Sequence, residues 1–273
     1  LVRLGLMMTI GTAFILLFLS LVRETQAEPR HCTRRLQHCE QNLEQLQHLP
    51  ASEERMAVAP PSGCVDERHL AELTKKRWEQ TKTALQAASE VLLQKEFGAV
   101  IGNRSIALRL KLPDENSERQ LRIELAPDVL MPVTVLYFLR QIKDGLWDGA
   151  IFHRNAAHVL QASNQAVRAR KGAVIASVPY QEYSSKLPHL PYTVGLAGRP
   201  GGPDWYISTI DNSRNHGPGS QSADAALLNE ADPCFGRLVD GGDVIAAIQA
   251  LPTAPGGFGL LQKPVTIVSA TVI

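Results

Sequence analysis

The chain has 273 residues, of which 44% are hydrophobic and 20% are charged, a length that accommodates one ordinary domain with appendages or two small domains. Its 28 basic and 27 acidic side chains give a net charge of +1. That balance argues against a general nucleic-acid-binding protein, because the neutralisation of phosphates requires a clustered basic surface.

The first predicted element is an apolar segment over residues 4–22, in which 19 consecutive residues carry no charge. As a helix it would be roughly 28 Å long, close to the ~30 Å thickness of the hydrocarbon layer. We therefore predict a transmembrane signal-anchor over residues 1–23. The alternative is a cleaved signal peptide, since small residues follow at positions 25–27, although the apolar part of such peptides is usually shorter.

Features on the two sides of this segment favour opposite orientations in the membrane. Arg3 alone precedes it and several arginines follow it, which by the positive-inside rule puts the C-terminal part in the cytosol. Three cysteines before residue 65 and a glycosylation sequon at Asn103 favour a lumenal C-terminal part instead. We predict a single-pass protein of the endoplasmic reticulum or Golgi with a lumenal C-terminal domain and a glycan on Asn103.

A helical stem is predicted over residues 24–97, with a proline-rich break at residues 50–63. In its first part, apolar and thiol side chains alternate four and three residues apart, as in the heptad seam of a coiled coil. Cys32 and Cys39 share this seam and could link two chains of a homodimer by interchain disulfides. A solvated spacer is the alternative. A metal held by the two neighbouring His-Cys pairs is disfavoured, because no Cys-x-x-Cys spacing supports it. The seam residues are Cys32, Leu36, Cys39, Leu43 and Leu46.

The pattern changes from helical to strand-like after the stem. Residues 66–97 keep a helical spacing without an internal glycine or proline. Residues 105–112 and 120–125 alternate between apolar and polar side chains, and the segment between them is polar. This pattern predicts a β-hairpin that begins a second domain at residue 98.

Three motifs follow the hairpin in chain order. The first begins with Pro132, which opens a predicted helix over residues 133–142, and Gly145 ends that helix. Its remaining residues are Thr134, Phe138, Asp148, Gly149, Phe152, His153 and Arg154. The second motif is Leu196-Ala197 followed by Trp205-Tyr206-Ile207, and the third is Phe235-Gly236-Arg237-Leu238-Val239 with Gly241, Asp243, Val244, Ile245 and Ile248.

Together these motifs resemble the cyclophilin-type peptidyl-prolyl cis-trans isomerase family. The resemblance covers roughly the chain from residue 105 to its end, and it predicts a mainly β domain over residues 98–273. In that family the fold is a closed eight-stranded antiparallel barrel capped by two helices. The whole chain would then be a transmembrane helix, a helical stem and a cyclophilin-like barrel.

The resemblance also implies an active site. Arg154 matches the catalytic arginine of the family, whose guanidinium stays protonated and can donate a hydrogen bond to the twisted prolyl nitrogen. Gln161 matches the active-site glutamine if one residue is deleted after Arg154. The substrate groove would be formed by Phe152, Val159, Gln161, Ala197, Gly198, Tyr206, Leu227 and Leu228.

Several of these positions depart from the family pattern. Tyr206 replaces a phenylalanine at the base of the proline pocket, and His158 and Val159 stand where the family has Phe and Met. Leu227 falls where the family has a tryptophan, and Asp232 falls where a histidine is common. These changes reduce the aromatic area around the prolyl ring, since each aromatic side chain contributes about 150–250 Å².

The predicted function is a prolyl isomerase that assists the folding of proline-containing proteins at a membrane, without a cofactor. Two alternatives remain: a membrane-tethered binding module that holds prolyl segments without turning them over, and a barrel that only caps an oligomeric stem. Histidines 153, 158, 189 and 216 follow no metal-ligand spacing. The glycine-rich loop at residues 198–204 lacks the ending of a phosphate loop, and we interpret it as a turn that shapes the groove.

Overall fold

The computed structural model describes residues 62–220 and 230–273. The predicted anchor, the predicted seam with Cys32 and Cys39, and the groove positions Leu227 and Leu228 lie outside these residues. Among the helices of the described residues, none combines the length and the apolar character needed to span a bilayer.

The described elements follow one another in an order dominated by short strands. They are α1 (Ser62–Phe97), β1 (Ser105–Lys111), β2 (Arg119–Leu125), α2 (Pro132–Lys143), β3 (Ile151–Asn155), β4 (Val159–Ser163), α3 (Gln165–Lys171), β5 (Thr193–Leu196), β6 (Trp205–Ser208), α4 (Ser213–His216), β7 (Cys234–Asp240), α5 (Gly242–Gln249) and β8 (Leu260–Val272).

The chain divides into two compact units, Leu1–Ala84 and Leu85–Ile273. In the first unit the structure describes helical residues 62–84, where Lys82 pairs with Glu79 at 2.8 Å. Helix α1 begins at Ser62, so the proline-rich break predicted over residues 50–63 overlaps the helix by its last two positions. The second unit begins at Leu85, whereas the sequence predicted a domain boundary at residue 98.

The second unit contains a closed barrel of eight antiparallel strands in the order β1-β2-β7-β5-β6-β4-β3-β8. The predicted barrel is thereby confirmed. The predicted hairpin is its first pair, in which Leu108 of β1 lies opposite Leu121 of β2. Helices α2 and α5 add their apolar faces to the barrel core and correspond to the two helices that were expected.

Aromatic side chains fill much of the barrel interior. Trp205 on β6 lies at their centre, with its ring centroid 5.8 Å from Phe138, 5.6 Å from Trp147 and 5.3 Å from Phe152. All three contacts are edge-to-face, an arrangement that adds to the stabilisation from burial alone. Because successive side chains of a strand point to opposite faces, Trp205 inside the barrel requires Tyr206 to face outward.

The N-terminus of α2 is capped by a buried carboxylate from a distant loop. Pro132 occupies the first turn, where its missing N–H would be unpaired in any case. The backbone N–H of Thr134 donates to Oε2 of Glu182 at 2.8 Å. Burial raises the pKa of Glu182, and the hydrogen bonds from Thr134 and Gln86 oppose that rise.

A buried arginine anchors the end of α1 within the second unit. The side chain of Arg104 is 1% exposed, and its Nε and Nη2 atoms donate to both oxygens of Asp128 at 2.8–3.1 Å. The same guanidinium donates to the carbonyls of Phe97 at 3.2 Å and Gly98 at 2.8 Å. These carbonyls have no partner inside the helix, so Arg104 closes the helix end as a cap.

We expect Arg104→Ala to lower the free energy of unfolding by about 3 kcal/mol, because it leaves Asp128 and the carbonyls at the helix end without their donor. The control is Arg109→Ala on β1, which removes an exposed ion pair with Glu118 and should cost less than about 1 kcal/mol. Urea unfolding followed by tryptophan fluorescence measures both. Equal urea midpoints for the two variants would contradict the anchoring role of Arg104.

Candidate active site

A β-bulge in β3 brings Arg154 to the outer face of the barrel. Phe152 pairs with Ala162 of β4, whereas Arg154 pairs with Gln161, so one residue of β3, His153, is extra between the two pairs. Without the bulge, Phe152 and Arg154 would point to the same face, and Phe152 lies fully buried in the core. The bulge therefore turns the guanidinium outward beside Gln161.

Two hydrogen bonds orient this guanidinium. Nη1 of Arg154 donates to Oε1 of Gln161 at 3.1 Å, and Nε donates to the backbone carbonyl of Phe258 at 2.9 Å. In the part of the chain that the structure describes, the third nitrogen, Nη2, makes no hydrogen bond. The half-buried side chain thus keeps donors for a ligand while its orientation is held by its neighbours.

The loop that carries Phe258 is held against β3 by close backbone contact. The N–H of Asn155 donates to the carbonyl of Gly259 at 2.7 Å. Gly259 has a φ of 83°, and a Cβ at this position would lie 2.2 Å from the carbonyl oxygen of Asn155. Only glycine fits here, so the carbonyl that binds Arg154 has a fixed place.

Arg154, Gln161 and Tyr206 form one row across three adjacent strands. Gln161 of β4 pairs with Arg154 on one side and with Tyr206 of β6 on the other. Neighbouring strands lie about 4.8 Å apart, so the row extends over roughly 10 Å of the outer surface. This span suits a short peptide segment.

The side chain of Tyr206 lies against β5 and is almost completely covered. A Cβ on Gly195, the residue opposite in β5, would lie 2.5 Å from the Tyr206 hydroxyl oxygen and 2.6–3.0 Å from the two nearest ring carbons, so only a glycine leaves room for the side chain there. Tyr206 is 2% exposed, and its hydroxyl donates to Oδ2 of Asp232 at 3.2 Å. Burial and the charge of Asp232 raise the pKa of the Tyr206 hydroxyl well above its usual value.

A polar cluster surrounds the ring of Tyr206 where the resemblance implied an apolar pocket. Arg199 donates from Nε to Oδ1 of Asp232 at 2.7 Å, and His216 contacts Oδ2 of Asp232 through Nδ1 at 2.7 Å. Arg199 also donates to the carbonyl of His216 and to the hydroxyl of Ser220. The side chains of Arg199 and Asp232 are each 7% exposed. Removing either partner would leave an unpaired buried charge, so breaking this ion pair would strongly destabilise the protein.

The imidazole of His216 contacts the ring of Tyr206, a predicted groove residue, and the ring of His158. Its centroid is 4.7 Å from that of Tyr206 and 5.5 Å from that of His158, on which it stacks at 16°. His158 occupies the position where the family has a phenylalanine. Both rings therefore contact the imidazole of His216.

The structure brings together some of the predicted groove residues and separates others. Gln161 and Tyr206 join Arg154 in one row, Val159 is buried on the same outer face, and Ala197 and Gly198 begin the next loop. Phe152, predicted to contact substrate, lies instead inside the barrel against Trp205, because it precedes the bulge.

Sequence reasoning missed three residues of this site. Arg199 was assigned only to a turn of the glycine-rich loop, His216 was considered only as a metal ligand, and Phe258 was not considered. The signal available for the polar cluster was the departure at Asp232, because a buried carboxylate requires partners. Phe258 is 88% exposed beside Arg154, and nothing in its local sequence marks it.

His189 is the most deeply buried histidine of this region. It is 1% exposed, its ring lies 6.1 Å from that of His216, and neither ring nitrogen has a hydrogen-bond partner in residues 62–220 and 230–273. Burial lowers the pKa of His189 to about 4. Within those ranges no group of three or more His, Cys, Asp or Glu residues could hold a metal ion.

Comparison with models of known protein families identifies one family. The sequence model described as cyclophilin type peptidyl-prolyl cis-trans isomerase/CLD matches residues 112–272. Among solved structures, a cyclophilin type peptidyl-prolyl cis-trans isomerase of Cryptosporidium parvum is 14% identical, with a TM-score of 0.47 over 63% of this chain and 98% of that chain. A structure of the same protein in the presence of the dipeptide Ala-Pro gives a TM-score of 0.46 at 14% identity, over 62% and 98%. A search of curated proteins found no match.

We expect the free energy of unfolding to fall by up to about 3 kcal/mol as the pH is lowered from about 6.5 to 4. In this window the unfolded chain binds a proton on His189, whereas the folded chain, with its pKa of about 4, does not, so acid favours unfolding. Urea unfolding at several pH values should show a smaller pH dependence for His189→Gln than for the wild type. Identical pH profiles for the two proteins would contradict a neutral, buried His189.

Proposed function

The chain belongs to the cyclophilin-type peptidyl-prolyl cis-trans isomerase family, and we propose on that basis that its groove around Arg154 isomerises X–Pro bonds in proline-containing protein segments at a membrane. The observation that carries this proposal is the oriented guanidinium of Arg154, held by Gln161 and by the carbonyl of Phe258. Nε and Nη1 are occupied by these acceptors, and Nη2, which has no hydrogen-bond partner among the residues that the structure describes, would donate to a bound peptide.

The chemistry requires one well-placed donor. Rotation about an X–Pro bond has a barrier of about 20 kcal/mol, because the amide loses its conjugation. In the twisted state the prolyl nitrogen becomes pyramidal and can accept a hydrogen bond, which the planar ground state cannot. A donor that binds only the twisted state lowers the barrier, and a guanidinium is suited to this task because it stays protonated.

Binding and catalysis would rest on different residues of the groove. Tyr206 and Ala197 are the candidates to contact the prolyl ring in both the planar and the twisted state, so they would contribute to affinity. Arg154 acts mainly on the twisted amide, so it would contribute to the rate. The groove positions Leu227 and Leu228 are proposed to contact the substrate as well.

A second candidate function is a tethered binding module that holds prolyl segments without appreciable turnover. The polar cluster of Arg199, Asp232 and His216 favours it, because it replaces apolar area around the prolyl ring with charged and hydrogen-bonding groups. The two functions differ in their use of Arg154: it accelerates isomerisation of the bound peptide in the isomerase and has no such effect in the binding module.

The proposed setting is a secretory membrane. The apolar segment at residues 4–22 would anchor the chain, the second unit would lie in the lumen of the endoplasmic reticulum or Golgi, and Cys32 and Cys39 would link two stems. The net charge of +1 favours a protein over a nucleic acid as the binding partner. The cysteines of the stem favour a location in the lumen.

We expect Arg154→Ala to lower the rate of isomerisation of an Ala-Pro peptide by about tenfold to a thousandfold, the loss of one transition-state donor. Binding of the same peptide should change much less, because Arg154 acts on the twisted amide. Exchange spectroscopy between the cis and trans forms measures the rate, and titration measures the affinity.

The matched control for this experiment is Arg109→Ala, which removes an exposed arginine on β1, away from the Arg154 row. It should leave both rate and affinity unchanged. If the wild-type protein binds the peptide but does not raise the isomerisation rate above background, the proposed isomerase is contradicted and the binding module is the better account.

We expect Asn103 to carry a glycan when the chain is made in cells with a secretory pathway. Asn103 is exposed in the loop before β1, and its amide donates to Glu124 at 3.1 Å through one of two N–H groups, so the other is free to be substituted. Endoglycosidase treatment should increase gel mobility, and Asn103→Gln should abolish the shift. Cleavage of the second unit by protease added on the cytosolic side would contradict a lumenal location.

A further inference from the structure

We propose that His216 is the residue that determines whether a prolyl ring can enter the groove, because its imidazole covers the face of Tyr206 on which that ring would stack. The inference rests on the proposed function of the groove and makes it more specific. In the state that the structure describes, the site is closed by the protein's own side chain.

Coverage of Tyr206 is the first step of the argument. The hydroxyl end of its ring lies against the backbone of Gly195, because a Cβ on that glycine would lie 2.5 Å from the hydroxyl oxygen and 2.6 Å from Cζ. Tyr206 is only 2% exposed, so the faces of its ring are covered by the protein. The ring centroid of His216 lies 4.7 Å from that of Tyr206, a distance typical of stacked or tilted aromatic pairs.

The second step is that the covering ring is held in place. Nδ1 of His216 lies 2.7 Å from Asp232, and its backbone carbonyl accepts from the N–H of Asp232 at 2.8 Å and from Nη2 of Arg199 at 3.2 Å. The buried pair of Arg199 and Asp232 therefore binds both the side chain and the backbone of His216. A peptide must compete with these bonds to reach Tyr206.

The third step is that the imidazole can leave without disturbing the barrel. His216 is the last residue of α4, a four-residue helix that lies outside the barrel strands. Its side chain is 19% exposed. The aromatic core around Trp205 and the row of Arg154 and Gln161 do not depend on it. Displacement of the ring would open the outer groove and leave the barrel intact.

The expected consequence is a site with weak intrinsic activity. When the binding-competent form is a minor fraction of the protein, the apparent affinity falls by that fraction. Removal of the covering ring should therefore strengthen binding and raise kcat/KM together, whereas a ring that served as one wall of an open pocket would, on removal, weaken both. The sign of the change distinguishes these two roles.

The test uses the full chain in detergent, a soluble tetrapeptide with one Ala-Pro bond, and the variant His216→Ala. We expect at least about a tenfold rise in kcat/KM and a similar fall in Kd. Arg214→Ala, which removes an exposed side chain from the same short helix, is the matched control and should change neither value. The double variant His216→Ala, Arg154→Ala should keep the tighter binding and lose the rate.

The outcomes separate this inference from the proposed function. A folded His216→Ala protein with unchanged or weaker peptide binding overturns the inference, even if the wild type shows a rate that depends on Arg154. Tighter binding without any rate that depends on Arg154 supports the inference and overturns the isomerase.

A second variant covers the case in which His216→Ala does not fold. His216→Gln keeps a donor for Asp232 but has no ring to cover Tyr206, so it should also bind the peptide more tightly. If His216→Gln binds no more tightly than the wild type, the covering role of the imidazole is excluded.

Discussion

The packing of Trp205 inside the barrel is the constraint on which the rest of this structure depends. Its indole touches Phe138, Trp147 and Phe152, and so joins β6, α2 and β3 to the same core. Once these rings face inward, alternation along β6 turns Tyr206 outward. On β3 the same alternation would hide Arg154 with Phe152, and the bulge at His153 is the local correction that exposes it. The outward-facing row of Arg154, Gln161 and Tyr206 is thus a consequence of an aromatic core.

The outer surface departs from an apolar pocket in a consistent way. Asp232 is nearly buried and would be costly as an isolated charge, and Arg199 and His216 satisfy its two oxygens. An acidic residue introduced at this position therefore requires basic partners nearby, and those partners bring an imidazole onto Tyr206. Asp232, Arg199 and His216 form one polar network and are best understood together.

The barrel and the positions of Arg154, Gln161 and Tyr206 could be predicted from the sequence, because they depend on short motifs and on strand alternation. The inward orientation of Phe152 could not be predicted, because the motif that contains Phe152 and Arg154 gives no sign of the bulge that turns them to opposite faces. Nor could the pairing of Arg199 with Asp232 and His216 be predicted, which joins loops far apart in the chain. Such pairings follow from the closure of the barrel and not from local spacing.

The end of α1 has a practical consequence for work with this protein. Leu93 is fully buried in the barrel core, and the carbonyls of Phe97 and Gly98 are bound by Arg104. A recombinant fragment trimmed to residue 98 would lack the leucine that fills this part of the interior and would leave an exposed apolar notch beside an incompletely paired guanidinium. Low solubility of such a fragment would be caused by the loss of Leu93 and not by the barrel itself. Fragments for expression should therefore begin upstream of Leu85.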